Sequence, residues 1–129
     1  MDYYLSEDNI YKRLLTEYEK YGTLIVAVDF DGTISDFHNE GLTFDKVISL
    51  LKDCNRLGFR LVIYTANNDY ELIQSRCETL GIKIEGINKQ LLPEFTDRGK
   101  LYYNILLDDR SGLPTAYKIL RRLVDDKSK

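Results

Sequence analysis

The sequence predicts a single α/β domain built on a mainly parallel β-sheet. With 129 residues the chain has room for one domain, and its 43% apolar content is that of a packed globular protein. Short, β-branched apolar runs such as residues 24–29 lack the polar alternation of half-exposed strands, which is typical of parallel strands buried on both faces. These runs alternate with segments of helical periodicity, the pattern of βαβ units.

The chain begins with an amphipathic segment that precedes the predicted sheet. Apolar side chains recur at helical spacing over residues 7–21, and Gly22 is typical of a helix stop. We therefore divide the chain into an N-terminal helical extension, residues 1–22, and a core domain, residues 23–129. Half of the ten tyrosines lie in the extension, namely Tyr3, Tyr4, Tyr11, Tyr18 and Tyr21. We expect the helix to pack its aromatic side against the core; the alternatives are a lid over the site or an interface in a homo-oligomer.

The first crossover of the predicted sheet joins a strand at 24–29 to a strand at 60–64. The helix between them carries a continuous apolar face, and Thr43 is placed to cap its amino end. Gly58 follows that helix as the expected left-handed stop.

The second crossover begins at Asn68, which with Glu71 three positions later forms a variant of the capping box. Its helix is expected to end at Gly81. The remaining predicted elements are a strand at 83–87, an irregular stretch at 88–99, a strand at 103–107 and a helix at 115–124.

Charge and hydropathy disfavour several classes of protein. The 18 Lys and Arg residues against 21 Asp and Glu leave a net charge of -3, so the chain lacks the broad cationic field of a protein that coats nucleic acids. The longest aliphatic run, Leu24 to Val28, is far shorter than the roughly twenty residues of a membrane span. The acidic amino terminus is unlike a secretory signal, and Cys54 and Cys77 fall on apolar helix stripes, which favours reduced thiols and a cytoplasmic location.

Polar side chains follow three of the predicted strands. Asp29 ends the first strand, Thr65 follows the second, and Asp108 and Asp109 follow the strand at 103–107. The carboxyl ends of parallel strands meet at one edge of the sheet, where α/β proteins bind their ligands. Asp31 lies two positions beyond Asp29, so an extended backbone brings both carboxylates out on the same side.

Four carboxylates in one crevice repel one another. Two unit charges about 4 Å apart cost roughly 4 kcal/mol at an effective dielectric constant of 20, so such a site favours a cation. A set of oxygen ligands without His or Cys selects a hard ion, and open coordination positions suit Mg²⁺. A bound Mg²⁺ attracts phosphate oxygens, and the chemistry that this predicts is phosphoryl transfer.

Three sequence motifs carry a resemblance to a known family. The chain reads DFDGT at 29–33, YT at 64–65 and LLDD at 106–109, and over residues 24–124 it resembles the haloacid dehalogenase superfamily of phosphohydrolases. The resemblance implies a Rossmann-like three-layer fold and a Mg²⁺-dependent phosphomonoesterase that works through an aspartyl-phosphate. In that scheme Asp29 is the nucleophile, and Asp31 protonates the leaving group and then activates the hydrolytic water.

The same resemblance implies roles for the other polar residues. Thr65 would hydrogen-bond the phosphoryl oxygens. The Asp29 carboxylate, the main-chain carbonyl of Asp31 and Asp108 would hold Mg²⁺, with Asp109 binding directly or through water. A lysine would neutralise the phosphoryl charge. Lys100 is preferred for this role because smaller relatives without a cap domain carry a lysine shortly before the last strand; Lys89 is the alternative.

The spacing of the motifs also bears on access to the site. The predicted helices and strands fill the intervals between Asp29 and Thr65 and between Thr65 and Asp108. No room is left for the cap domain that larger members of the superfamily insert there. The resemblance therefore implies an open site, with His38 expected in a solvated flap beside it.

The predicted function is hydrolysis of a phosphate monoester of a nucleotide, a sugar or a nucleic-acid end. The acidic net charge favours a small molecule over a nucleic acid. One alternative is a phosphorylation-dependent signalling module, although receiver domains place their acidic pair and phospho-acceptor in a different order. The other is a relative that binds phosphoryl groups without turnover, although every expected catalytic side chain is present.

Overall fold

A four-stranded parallel sheet forms the centre of the protein. The structure is a computed structural model, and it describes residues 2–36, 38–97 and 99–129. The strands are β1 (Ile25–Val28), β2 (Arg60–Ile63), β3 (Gly86–Ile87) and β4 (Ile105–Leu107). Their order across the sheet is β3-β2-β1-β4, and every pair is parallel. The predicted α/β class with a mainly parallel sheet is confirmed, and β1 lies between β2 and β4.

Four α-helices accompany the sheet in the described part of the chain. They are α1 (Glu7–Tyr21), α2 (Asp45–Arg56), α3 (Tyr70–Leu80) and α4 (Leu113–Lys127). The left-handed glycines predicted to end the first three are present, at Gly22, Gly58 and Gly81. Helix α4 extends beyond the predicted 115–124 at both ends. At its amino end this is possible because Pro114 is compatible with the first helical turn.

Two predicted helix caps are wrong. Helix α2 begins after Phe44, one residue later than expected, and no side chain caps it, so Thr43 has no capping role. Helix α3 is capped by Asp69, whose carboxylate accepts a hydrogen bond from the Leu72 N–H at 3.2 Å. Asn68 therefore lies outside the cap, since the neighbouring aspartate provides a competing acceptor one position later.

The strands are shorter than predicted. Of the strand predicted at 83–87, two residues form β3, because β3 is an edge strand that pairs only with β2. At β1 the ladder hydrogen bonds continue past the ends of the strand: Arg60 N donates to Leu24 O, and Asp29 N donates to Leu107 O, both at 2.8 Å. The backbone at Asp29 is thereby fixed to β4.

The two faces of the sheet are covered differently. All four helices contribute to the larger core, which includes Val26 and Val28 of β1 and Leu61 and Ile63 of β2. The alternating residues of these strands face a smaller cluster formed with Leu91 from the segment between β3 and β4. Within that segment, a short 3-10 helix spans Pro93–Phe95.

Helix α1 packs against α4 through its apolar side. Leu14 is fully buried, and Tyr11 is buried with its hydroxyl 3.0 Å from a carboxylate oxygen of Asp126. The Arg122 guanidinium lies 3.8 Å from the centre of the Tyr11 ring. Three other tyrosines of the extension are exposed: Tyr3, Tyr4 and Tyr21. The aromatic residues of the extension are therefore only partly turned inward.

Both cysteines are buried and free, as predicted. Burial raises the pKa of the Cys54 thiol to about 12 and that of the Cys77 thiol to about 11, which keeps both thiols protonated at neutral pH. Within the described residues, each helix is too short or too polar to cross a bilayer.

Candidate active site

The carboxyl edge of the sheet opens into a cavity of about 660 Å³. Asp29 reaches it from the end of β1, Thr65 from the loop after β2, and Asp108 and Asp109 from the loop after β4. Asp31 lines the same cavity. The structure thus brings together the four predicted acidic residues and the predicted threonine, because β1 is hydrogen-bonded to both of the other strands.

Three of the carboxylates form a compact cluster. One oxygen each of Asp29, Asp108 and Asp109 can be chosen so that all three lie within 4.8 Å of one another. The buried Thr33 hydroxyl lies between two of them, 3.3 Å from Asp29 Oδ2 and 3.3 Å from Asp109 Oδ1. The same hydroxyl oxygen accepts a hydrogen bond from the Asp109 N–H at 3.1 Å. Thr33 therefore ties the loop after β1 to the loop after β4.

Gly32 allows these two loops to approach closely. Its φ of 82° lies in the left-handed region, and a Cβ at this position would lie 2.9 Å from Asp109 Oδ2. Such a contact is shorter than real Cβ atoms make, so a larger residue would have to displace the Asp109 carboxylate. The glycine of the DFDGT motif is thus required by both backbone conformation and space.

The electrostatics of the cluster favour a cation. Burial, hydrogen bonding to Asp109 and the negative charges of Asp108 and Asp109 raise the pKa of Asp29 from 3.8 to about 7. A hard divalent cation beside Asp29 would offset the negative charges that raise its pKa. A set made only of carboxylate oxygens is the type that Mg²⁺ binds. The donor set therefore fits the metal that the sequence predicts.

Asp31 is held apart from this cluster. Its Oδ2 accepts a hydrogen bond from Asn67 Nδ2 at 3.2 Å. Its Oδ1 is buried and has no hydrogen-bond partner among the described residues. Buried carboxylate oxygens are normally satisfied, so an unpaired one inside a site indicates a group that bonds to a ligand or a water molecule.

Thr65 is positioned by an asparagine from the next loop. The Asn88 side chain accepts a hydrogen bond from Thr65 N and donates one to Thr65 O, both at 2.8 Å. Asn88 adopts a φ of 51°, which asparagine tolerates better than most residues. The Thr65 hydroxyl in turn accepts a hydrogen bond from the Asn67 N–H at 3.0 Å. Asn88 and Asn67 thus orient Thr65, the predicted phosphoryl-binding residue.

The predicted lysine is not brought into the cavity. Lys100 is exposed, and its ammonium lies 5.9 Å from the centre of the Tyr103 ring. Lys89 is also exposed, with its alkyl chain beside Gly86. Among the described residues that line the cavity, the single Lys or Arg is Arg110. It follows Asp108 and Asp109 directly in the chain, and that position at the sheet edge is the signal by which sequence reasoning could have identified it.

His38 lines the cavity from an exposed loop, as expected for the predicted flap. The same loop contributes Glu40 and Leu42, and Phe44 follows at the start of α2. Phe37, the neighbour of His38, lies outside the described residues. In the described part of the chain, the segments between the predicted catalytic residues form single helices and short strands without a cap domain.

Comparison with known proteins establishes the fold and assigns no activity. No protein-family model matches the sequence, and neither does any curated protein. A solved structure of a conserved protein from Bacteroides thetaiotaomicron is similar, with a TM-score of 0.61 and 25% sequence identity. The match covers 81% of this chain and 92% of that chain. The α/β domain is therefore an arrangement that this bacterial protein shares.

Proposed function

We propose that the protein hydrolyses phosphate monoesters with the help of Mg²⁺, through an aspartyl-phosphate intermediate. The observation that carries this proposal is the convergence of Asp29, Asp108 and Asp109 within 4.8 Å at the carboxyl ends of two adjacent parallel strands. The motif order that resembles the haloacid dehalogenase superfamily supports the same chemistry, because it assigns a role to each of the converging side chains.

Mg²⁺ would be held by the carboxylates of Asp29 and Asp108, with Asp109 contributing directly or through water and Asp31 through its main-chain carbonyl. When bound, the ion supplies positive charge that offsets the repulsion between carboxylates and the charge on the phosphoryl oxygens. The side chain of Asp31 stays outside the cluster in the structure, which leaves it free for proton transfer.

The protein's own residues account for the proton balance of both steps. In the first step an oxygen of Asp29 forms a bond to phosphorus, the bond from phosphorus to the ester oxygen breaks, and Asp31 gives that oxygen its proton. In the second step Asp31 takes a proton from water as the water oxygen attacks phosphorus, which releases inorganic phosphate and regenerates Asp29. Asn67 orients Asp31 for both transfers.

The phosphoryl oxygens need positive or donating partners. Thr65 supplies a hydroxyl whose position is fixed by Asn88. Arg110 is the cation that lines the cavity, whereas Lys100 remains the prediction from the resemblance. Single alanine variants of Arg110, Lys100 and Lys89 distinguish these assignments, because loss of the phosphoryl-binding cation lowers kcat/KM by about a hundredfold and loss of the others leaves it within a fewfold.

Phosphate release tests the proposal directly. Purified protein with Mg²⁺ and a panel of phosphate esters should release inorganic phosphate, and release should stop in Asp29→Asn and in Asp31→Asn. Asp2→Asn is the matched control, because Asp2 is an exposed aspartate that does not line the cavity. Release by Asp29→Asn at the native rate refutes the assigned nucleophile.

One observation favours a second candidate, a phosphoryl-binding or signalling module without turnover. The described lining residues include no lysine, and a site with weak charge neutralisation can bind a phosphoryl group without stabilising its transfer. In that case calorimetry detects Mg²⁺-dependent binding of inorganic phosphate, and no ester of the panel releases phosphate.

A further inference from the structure

Large apolar side chains open into the same cavity as the carboxylates. Leu42 is 56% exposed and Tyr64 is 44% exposed, and Phe44 lines the cavity with them. A single exposed leucine needs no explanation on a protein surface. Three large apolar side chains lining the cavity of the proposed reaction centre do need an explanation, because a charged phosphoryl group gains nothing from contact with them.

The loop that carries Leu42 is held in place by Asp36. The Asp36 carboxylate accepts hydrogen bonds from the backbone N–H groups of Glu40, Gly41 and Leu42 at 3.1, 2.8 and 3.1 Å. Three such bonds to one charged acceptor fix the backbone of the loop. The exposed position of Leu42 is therefore built into the loop.

Most of the charged side chains that line the cavity are acidic. Six of its described lining residues are acidic, namely Asp29, Asp31, Asp36, Glu40, Asp108 and Asp109. Arg110 is the single Lys or Arg among them. The charges of Mg²⁺ and of a phosphate monoester dianion cancel each other, so the acidic excess remains around the rest of the substrate. A second anionic group on the substrate would be repelled there.

We infer that the leaving group of the substrate is an uncharged alcohol bearing a ring or a comparable apolar group, which contacts Leu42, Phe44 and Tyr64. This inference rests on the proposed function, because it describes the part of the ester that the phosphoryl site does not hold. It favours phosphate monoesters of apolar alcohols over bisphosphates and over phosphorylated nucleic-acid ends, which bring further negative charge into the cavity.

Three synthetic phosphate esters of primary alcohols test the inference. Phenethyl phosphate adds a ring to ethyl phosphate, and ethylene glycol bisphosphate adds a second phosphate to the same two-carbon unit. We expect kcat/KM for phenethyl phosphate to be about tenfold above that for ethyl phosphate, and that for the bisphosphate to be about tenfold below it. All three esters release a primary aliphatic alcohol, so the differences in kcat/KM are assigned to contacts with the protein.

Matched leucine variants locate the effect. Leu42→Ala should lower the ratio of kcat/KM for phenethyl over ethyl phosphate about threefold or more. Leu72→Ala should leave that ratio unchanged, because Leu72 is similarly exposed, at 49%, and does not line the cavity. Hydrolysis of all three esters at equal kcat/KM, or the same ratio in both variants, overturns the inference and leaves the proposed function standing. Failure with these three esters while other esters of the panel release phosphate also overturns the inference and leaves the proposed function standing. Failure with the whole panel overturns the proposed function, and the inference with it.

Discussion

Replacement of Asp29 by asparagine should make the metal-free protein more stable while it abolishes turnover. Asp29 is a half-buried carboxylate within 4.8 Å of two others, so its negative charge is unfavourable in the folded state when no cation is present. Asparagine has nearly the same shape and carries no charge. The substitution therefore removes the repulsion and keeps an oxygen that can accept from Thr33.

The size of the gain follows from the pKa of Asp29. A rise from 3.8 to about 7 corresponds to roughly 4 kcal/mol as an upper bound when the group is fully ionised. Asp29 is half-exposed, and solvent screening reduces the gain to about 1–2 kcal/mol. Because the folded-state pKa of Asp29 is raised, the destabilisation is absent below about pH 4, grows as the pH rises from about 4 to about 7, and is fully present above about pH 7. We therefore expect Asp29→Asn to raise Tm by roughly 5 °C at pH 8 and to have little effect near pH 4.

Thermal unfolding with and without Mg²⁺ measures both parts of the argument. Mg²⁺ at about 100 times its Kd should stabilise the native protein by about 2.7 kcal/mol and Asp29→Asn by much less. Asp2→Asn serves as the control and should follow the native protein. A lower Tm for metal-free Asp29→Asn at pH 8, or equal stabilisation of both proteins by Mg²⁺, would refute the electrostatic account of the cluster.

Three further substitutions probe the support of the site. Gly32→Ala should weaken Mg²⁺ binding about tenfold in calorimetric titrations, because the added Cβ would lie 2.9 Å from Asp109 Oδ2 and would push that carboxylate away. Asn88→Ala should cost about 1–2 kcal/mol in urea unfolding and lower kcat, because both of its hydrogen bonds to the Thr65 backbone are lost. Leu14→Ala should cost about 2–5 kcal/mol in the same unfolding assay, because Leu14 is fully buried where α1 joins the core; a cost below about 1 kcal/mol would contradict the close packing of α1 on the core at this position.

The positions of the acidic residues could be predicted because they depend on strand topology. Parallel strands expose their carboxyl ends at one edge, so Asp29 and Asp108 converge once β1 and β4 are neighbours. The helix stops were predictable for a similar reason, because a left-handed glycine is a local requirement. Each of these signals is contained within a few residues of the chain.

The lysine and the supporting asparagines were not predictable in this way. Lys100 lies in the irregular segment between β3 and β4, which has no periodicity to indicate which side chain faces the cavity. Asn88 acts on Thr65 from a different loop, and a side-chain to backbone contact of that range leaves no pattern in the sequence. The predicted cap of α3 was wrong for a local reason. Asn68 and Asp69 are both good capping residues, and capping propensity does not distinguish between neighbours.

The supply of hydrogen-bond donors gives an independent argument for a ligand in the cavity. The Thr33 hydroxyl has a single proton, yet it lies 3.3 Å from oxygens of both Asp29 and Asp109, so it can serve only one of them at a time. Asp31 Oδ1 has no donor among the described residues. Half-buried carboxylates that lack donors lower the stability of a fold, and such groups persist where they contribute to function. A divalent cation at the cluster and a water molecule that donates to Asp31 would satisfy these oxygens together, and both are species that the proposed hydrolysis requires.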